Sequence, residues 1–126
     1  MGFFIFLFVV NLFLPVIMLI FGVIFEKHPP KSVNGAYGYR TARSMKNQET
    51  WDFAHKLFGE IWKQAGIVLS IITIPVTIAS YPLGEDGIGI VSLVLVHIQL
   101  VVLLLCIYPV EKALKKNFDE NGKRRK

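Results

Sequence analysis

Charged side chains are absent from three long stretches of this chain, residues 1 to 25, 64 to 84 and 87 to 110, and nearly all the charge lies between and after them. A soluble domain disperses its apolar residues among polar ones at helix or strand period, whereas here the two kinds are segregated. Each charge-free stretch reaches the roughly 20 residues a helix needs to cross a ~30 Å hydrocarbon core. Backbone in lipid must satisfy its own hydrogen bonds, so such runs predict helices. The expected fold is an all-α integral membrane protein with three transmembrane helices, at about residues 2–26, 64–83 and 87–110 of a single membrane domain covering 1–126.

The segment 27–63 carries a second pattern. Pro29 and Pro30 forbid continuation of the first helix, which is expected to end near Glu26 to His28. Gly35 and Gly38 then permit tight or left-handed backbone, predicting a compact irregular loop over 28–46. Asn47 is a favoured N-cap, with Glu49 and Asp52 suited to a positive helix start. From there Trp51, Ala54, Phe58, Ile61, Trp62 and Ala65 recur at three- and four-residue steps, opposite Asp52, Lys56, Glu60 and Lys63. This predicts an amphipathic helix before the second span, lying in the membrane interface with its Trp residues at the boundary or packed on the bundle.

Of the 126 residues 53% are hydrophobic, and 14 Lys and Arg outnumber 9 Asp and Glu. Distribution matters more than the net charge of +5. Lys27, Lys31, Arg40, Arg43, Lys46, Lys56 and Lys63 precede the second span, and Lys112, Lys115, Lys116, Lys123, Arg124, Arg125 and Lys126 follow the third. The turn between the second and third spans carries only Glu85 and Asp86. Short cytoplasmic loops are enriched in Lys and Arg, so the expected topology is N-terminus outside, loop 27–63 inside, acidic turn outside and basic tail 111–126 inside. The same topology accounts for both basic clusters without nucleic acid, for which no recognition module is evident.

The first run has no basic start and no small-x-small site, so it is expected to be retained rather than cleaved as a signal peptide. It also lacks the Ser or Thr of a myristoylation signal. Cys106 is the single cysteine, expected to be packed or lipid-facing. His28, His55 and His97 fall in three different segments with no ligand spacing, so no metal or cofactor is expected. Asn11, His97 and Gln99 are polar residues inside spans, where such side chains line an interface or a path; interhelical hydrogen bonds that fix packing are expected ahead of proton transfer, with His97 and Asn11 both near mid-span.

The densest chemistry is in the loop, where Gly38, Tyr39, Arg40, Thr41, Ser44, Lys46, Asn47, Glu49, Trp51 and His55 crowd together. Arg grips a carboxylate or phosphate through two parallel hydrogen bonds, with neighbouring hydroxyls and amides completing such a site. The stretch "YGYRTARSMKNQETWDFAHKLFG" resembles the signature of the SdpI family of bacterial membrane immunity proteins, through Gly38-Tyr39-Arg40-Thr41, Ser44-Met45-Lys46-Asn47, Glu49, Trp51, Ala54-His55 and Gly59. One span, the signature loop and two further spans also match the layout of that family's characteristic domain, while longer members carry extra N-terminal spans. The resemblance implies a non-enzymatic protein of the cytoplasmic membrane that protects a bacterium from a membrane-active toxin, by binding the toxin peptide or by sequestering a cytoplasmic regulator. A second reading from a different class is a small transport or lipid-binding protein in which Arg40, Lys46 and Trp51 converge on an anionic headgroup. A homo-oligomer is compatible with three spans, although no G-x-x-x-G face argues for one.

Overall fold

The computed structural model describes residues 1–125, and Lys126 lies outside the described residues. The chain folds as helices α1 (Gly2–Lys27), α2 (Gln48–Ser80), α3 (Gly84–Leu105) and α4 (Ile107–Asn117), with a 3₁₀ turn at Tyr81–Leu83 between α2 and α3. Among the described residues two stretches are long and apolar enough to cross a membrane, Gly2–Lys27 and the helical stretch Gln48–Asn117.

Helix α1 stops where Pro29 and Pro30 require it to stop, with the His28 N–H closing on the Ile24 carbonyl. The reversal from α2 to α3 uses the 3₁₀ turn and Gly84 at φ +79°, a left-handed conformation that suits glycine. The break between α3 and α4 at Cys106 falls just before Pro109, whose ring excludes the Leu105 carbonyl from an uninterrupted helix.

Consecutive helices pack antiparallel, so α1 and α3 run in the same direction. Phe4 meets Tyr81 edge-on at one end of the α1–α2 pair, and at the other Lys63 reaches Glu26 at 2.6 Å. Three glycines bring those two backbones together. A Cβ on Gly59 would lie 2.5 Å from the Glu26 nitrogen, one on Gly66 would lie 2.7 Å from the Pro15 carbonyl oxygen, and one on Gly22 would strike the Lys63 backbone. Small residues permit such close approach where lipid supplies no hydrophobic drive between helices. The glycine face is therefore consumed within the chain.

Burial is inverted relative to a soluble bundle. Ile5, Phe6, Val9 and Phe13 of α1, Ile71 and Ile78 of α2, and Leu93, Val101 and Leu104 of α3 are exposed, while Asn11, Thr73, Thr77, Ser92 and Gln99 are buried between the helices. Pro15 explains part of this. Lacking an N–H, it frees the Asn11 carbonyl, which accepts the Gln99 side-chain N–H at 2.8 Å. Gln99 also donates to Thr73 at 3.0 Å, and the Asn11 amide donates to Ser92 at 3.0 Å and Thr77 at 3.2 Å.

Two expectations are corrected. The amphipathic segment and the second apolar run are not separate helices, because α2 continues through residues 63 and 64 without a break as one element of 33 residues, about 50 Å long. The segment 48–63 therefore cannot lie flat in an interface while the rest of α2 crosses the bilayer. Its apolar face packs on protein: Trp51, Ala54 and Phe58 are buried, in a core with Tyr39, Val110, Leu114 and Phe118. Nor is the segment after residue 110 a plain tail. It continues α4 and then folds back through an antiparallel bridge between Phe118 and Arg124, with Gly122 at φ +80°.

Candidate functional site

The loop between α1 and α2, the first half of α2, and α4 with the residues after it form a polar head at one end of the bundle. Its geometry begins at Gly38. With φ at +119°, this residue turns the chain so that the Tyr39 N–H points at His55 Nε2, 2.8 Å away. His55 Nδ1 lies 2.8 Å from the Trp51 carbonyl, so the ring is assigned as the neutral tautomer, donating from Nδ1 and accepting at Nε2. Burial holds the His55 pKa below its ordinary value, against weaker opposing effects of the Trp51 carbonyl and Asp52. A buried imidazole thus serves as a fixed acceptor for loop backbone.

Tyr39 is buried, and its hydroxyl donates to Glu111 of α4. Burial and the receiving carboxylate together push its phenol far above the usual range, so it remains a donor. The Thr41 hydroxyl donates to the same Glu111 oxygen at 3.0 Å, and Arg43 Nε stands 4.0 Å from the other. Ser44 closes the turn: its hydroxyl donates to the Tyr39 carbonyl at 2.9 Å and accepts from the Thr41 N–H at 2.9 Å. Thr50 donates to the Ser44 carbonyl at 3.0 Å, tying the turn to the start of α2.

Asn47 caps α2 as its residue type predicts. Its side chain accepts from the Thr50 N–H at 2.9 Å, the Thr50 hydroxyl accepts from the Asn47 N–H at 3.1 Å, and the Asn47 amide donates to the Gly122 carbonyl at 2.7 Å. Trp51 does not reach a membrane boundary. It is fully buried, stacks at 4.2 Å on His55, and donates its indole N–H to the Pro30 carbonyl at 2.8 Å.

The sequence candidates therefore divide. Gly38, Tyr39, Thr41, Ser44, Asn47, Trp51 and His55 converge on the lock just described. Arg40, Lys46 and Glu49 stay exposed, and they do not meet. Glu49 faces Arg124 at 3.7 Å, which removes it as a partner for Arg40. Arg40 has no hydrogen bond or ion pair among the described residues, and it lines an apolar groove with Phe58 and Trp62. Lys46 lines a different, polar pocket beside Arg43, Asp119 and Glu120. A converging Arg40–Lys46–Trp51 site is not formed.

Within the bundle, Asn11 and Gln99 are joined as neighbours, and His97 is not. His97 is exposed, and its Nδ1 lies 2.7 Å from the Leu93 carbonyl of its own helix, so the expected interhelical bond is replaced by an intrahelical one. Glu111 is the residue that sequence reasoning passed over. The available signal was its position, as the first carboxylate after the last apolar run.

Comparison with known proteins supplies a family. A model of the SdpI/YfhL protein family matches residues 31–110, from the loop to the end of the last apolar run. The chain belongs to the SdpI/YfhL family. A relative within it, the uncharacterized protein YfhL of Bacillus subtilis strain 168, is 39% identical over 54 residues, covering 43% of this chain and 49% of that protein. The match thus spans about half the length of that relative. No solved structure matches. Family membership and the exposed apolar helices together mark a membrane protein.

Proposed function

We propose that this SdpI/YfhL family member is a three-span protein of the bacterial cytoplasmic membrane that protects its cell from a membrane-active toxin peptide without catalysing a reaction. The N-terminus faces outside, and the head built from the loop, α4 and the C-terminal residues faces the cytoplasm. There it meets either the toxin or a regulator held at the membrane.

The observation that carries this reading is the division of labour in the signature loop. Tyr39, Thr41, Ser44 and His55 are turned inward and spent on the lock, whereas Arg40, between them in sequence, is exposed and free of any partner among the described residues. Folding alone gives no role to a guanidinium held out in this way. A rigid scaffold presenting one planar, permanently charged group is what recognition of a carboxylate or phosphate requires.

The test is survival of host cells expressing the chain during challenge with a panel of membrane-active peptides, with membrane abundance measured in parallel. Arg40→Ala is expected to reach normal abundance and lose protection, and Arg40→Lys to lose nearly as much, because an ammonium cannot reproduce the two-pronged contact. Full protection by Arg40→Ala would remove the loop from the mechanism. Parallel loss of abundance and survival would make Arg40 a folding residue instead.

A further inference from the structure

Beside the lock lies a groove of about 470 Å³ whose walls include Phe21 of α1, Phe58 and Trp62 of α2, and Leu103 of α3, and whose polar end is formed by Arg40 and Thr41. It is far larger than a single water needs. Its lower wall belongs to the apolar runs and its mouth to the cytoplasmic loop, so one groove straddles the predicted boundary of the hydrocarbon.

Two features of this groove are unaccounted for by the fold. Arg40 has no anionic partner among the described residues, where Glu26, Glu49 and Glu111 pair with Lys63, Arg124 and Arg43 respectively. Trp62 stacks on Phe58 at 4.6 Å, yet its indole N–H is buried without a hydrogen-bond partner. An indole N–H ordinarily finds an acceptor when buried, and leaving one unmade is costly. The groove thus presents a cation and apolar walls in one cavity, with Trp62 forming part of a wall.

We infer that this groove holds one anionic phospholipid of the inner leaflet, with an acyl chain against Phe21, Phe58 and Leu103 and the phosphate on Arg40. The charge balance favours an anion at the mouth. The Glu111 carboxylate, held by the groove residues Tyr39 and Thr41, would repel it, but it already accepts from both hydroxyls and faces Arg43 at 4.0 Å. The inference rests on the bilayer placement proposed above and shares Arg40 with the recognition proposed there, while its lipid readout does not depend on a toxin.

Trp62 supplies its own reporter. The full-length protein is reconstituted in phosphatidylcholine vesicles containing the same small fraction of either phosphatidylglycerol or phosphatidylcholine with brominated acyl chains, and tryptophan quenching is recorded. Brominated phosphatidylglycerol is expected to occupy the groove about tenfold more favourably, the scale of one charge-assisted contact. Arg40→Gln should abolish this headgroup preference, and since Arg40 is exposed and unpaired the change leaves the lock intact. Trp62→Phe should remove the selective quenching and leave only that of Trp51. Equal quenching by both lipids, or a preference that survives either substitution, overturns the site. Absence of quenching by both lipids would instead refute the bilayer placement, and the inference with it.

Discussion

A methyl group on residue 38 would sit 2.5 Å from His55 Nε2 and 3.2 Å from the Trp51 ring, on a backbone already at φ +119°. Gly38→Ala therefore combines unfavourable backbone, about 1–3 kcal/mol, with displacement of the imidazole that receives the Tyr39 N–H. Faster tryptic cleavage at Arg40 and Arg43 in detergent is the expected outcome, and wild-type cleavage would show that the loop is not held by this contact. His55 adds a pH dependence whose sign is determined by its burial. The fold lowers the His55 pKa, so the neutral ring contributes stability in full above the unfolded value of about 6.5. That contribution falls as pH drops from there through the folded pKa, since a protonated ring offers Tyr39 N–H no acceptor. Hydrogen exchange across residues 38–47, corrected for its intrinsic pH dependence, should accelerate on acidification from neutrality to about pH 5. Equal corrected exchange at both would mean that the loop does not depend on the neutral ring.

Among the elements, the start of α2 joins the loop to the C-terminal hairpin through one side chain. Asn47→Ala is expected to cost about 0.5–2 kcal/mol through the lost cap, and also to release Gly122. Asn47→Asp separates the two effects, because it keeps the accepting oxygen and loses the donor to Gly122. Melting in detergent should place Asp between wild type and Ala, while proteolysis at Lys123 should rise in both variants. Identical behaviour of all three proteins would show that the cap carries no load. This cap was legible because it is local, as were the stop before Pro29 and the three apolar runs. The continuity of α2 was obscured by the change of polarity at Lys63 and Gln64, although nothing at those positions breaks a helix. Glu111 was marked only by its position after the last apolar run, and its bond to Tyr39 was not legible, since it joins residues 72 apart and no periodicity connects them. His97 was misplaced for a similar reason: position along a span gives depth, whereas only the packing of the helices decides that Gln99 turns inward and His97 outward.

The whole molecule is apolar outside and polar inside over the bundle, and polar outside over the head, a distribution that suits a bilayer around α1, the second half of α2, and α3. The head gathers the basic residues of both the loop and the C-terminal segment at one end, and the α2–α3 turn with Glu85 and Asp86 occupies the other. Because consecutive helices are antiparallel, fixing the side of one end fixes the side of the other. On the topology proposed above, the Lys and Arg bias is the argument for a cytoplasmic head. After replacement of Cys106, a membrane-impermeant thiol reagent applied to intact cells is expected to modify a cysteine at Asp86 and to spare one at Ser32 or Lys123. All three positions are exposed, so failure to label reports the membrane rather than burial. Position 123 is a better probe than Gly122, where a side chain would collide with Asn47 at 2.6 Å. Labelling at 32 and 123 with protection at 86 would invert the protein, placing Arg40 and its groove on the outer surface. Arg40 would then meet a toxin directly, and a role in holding a cytoplasmic regulator would be excluded.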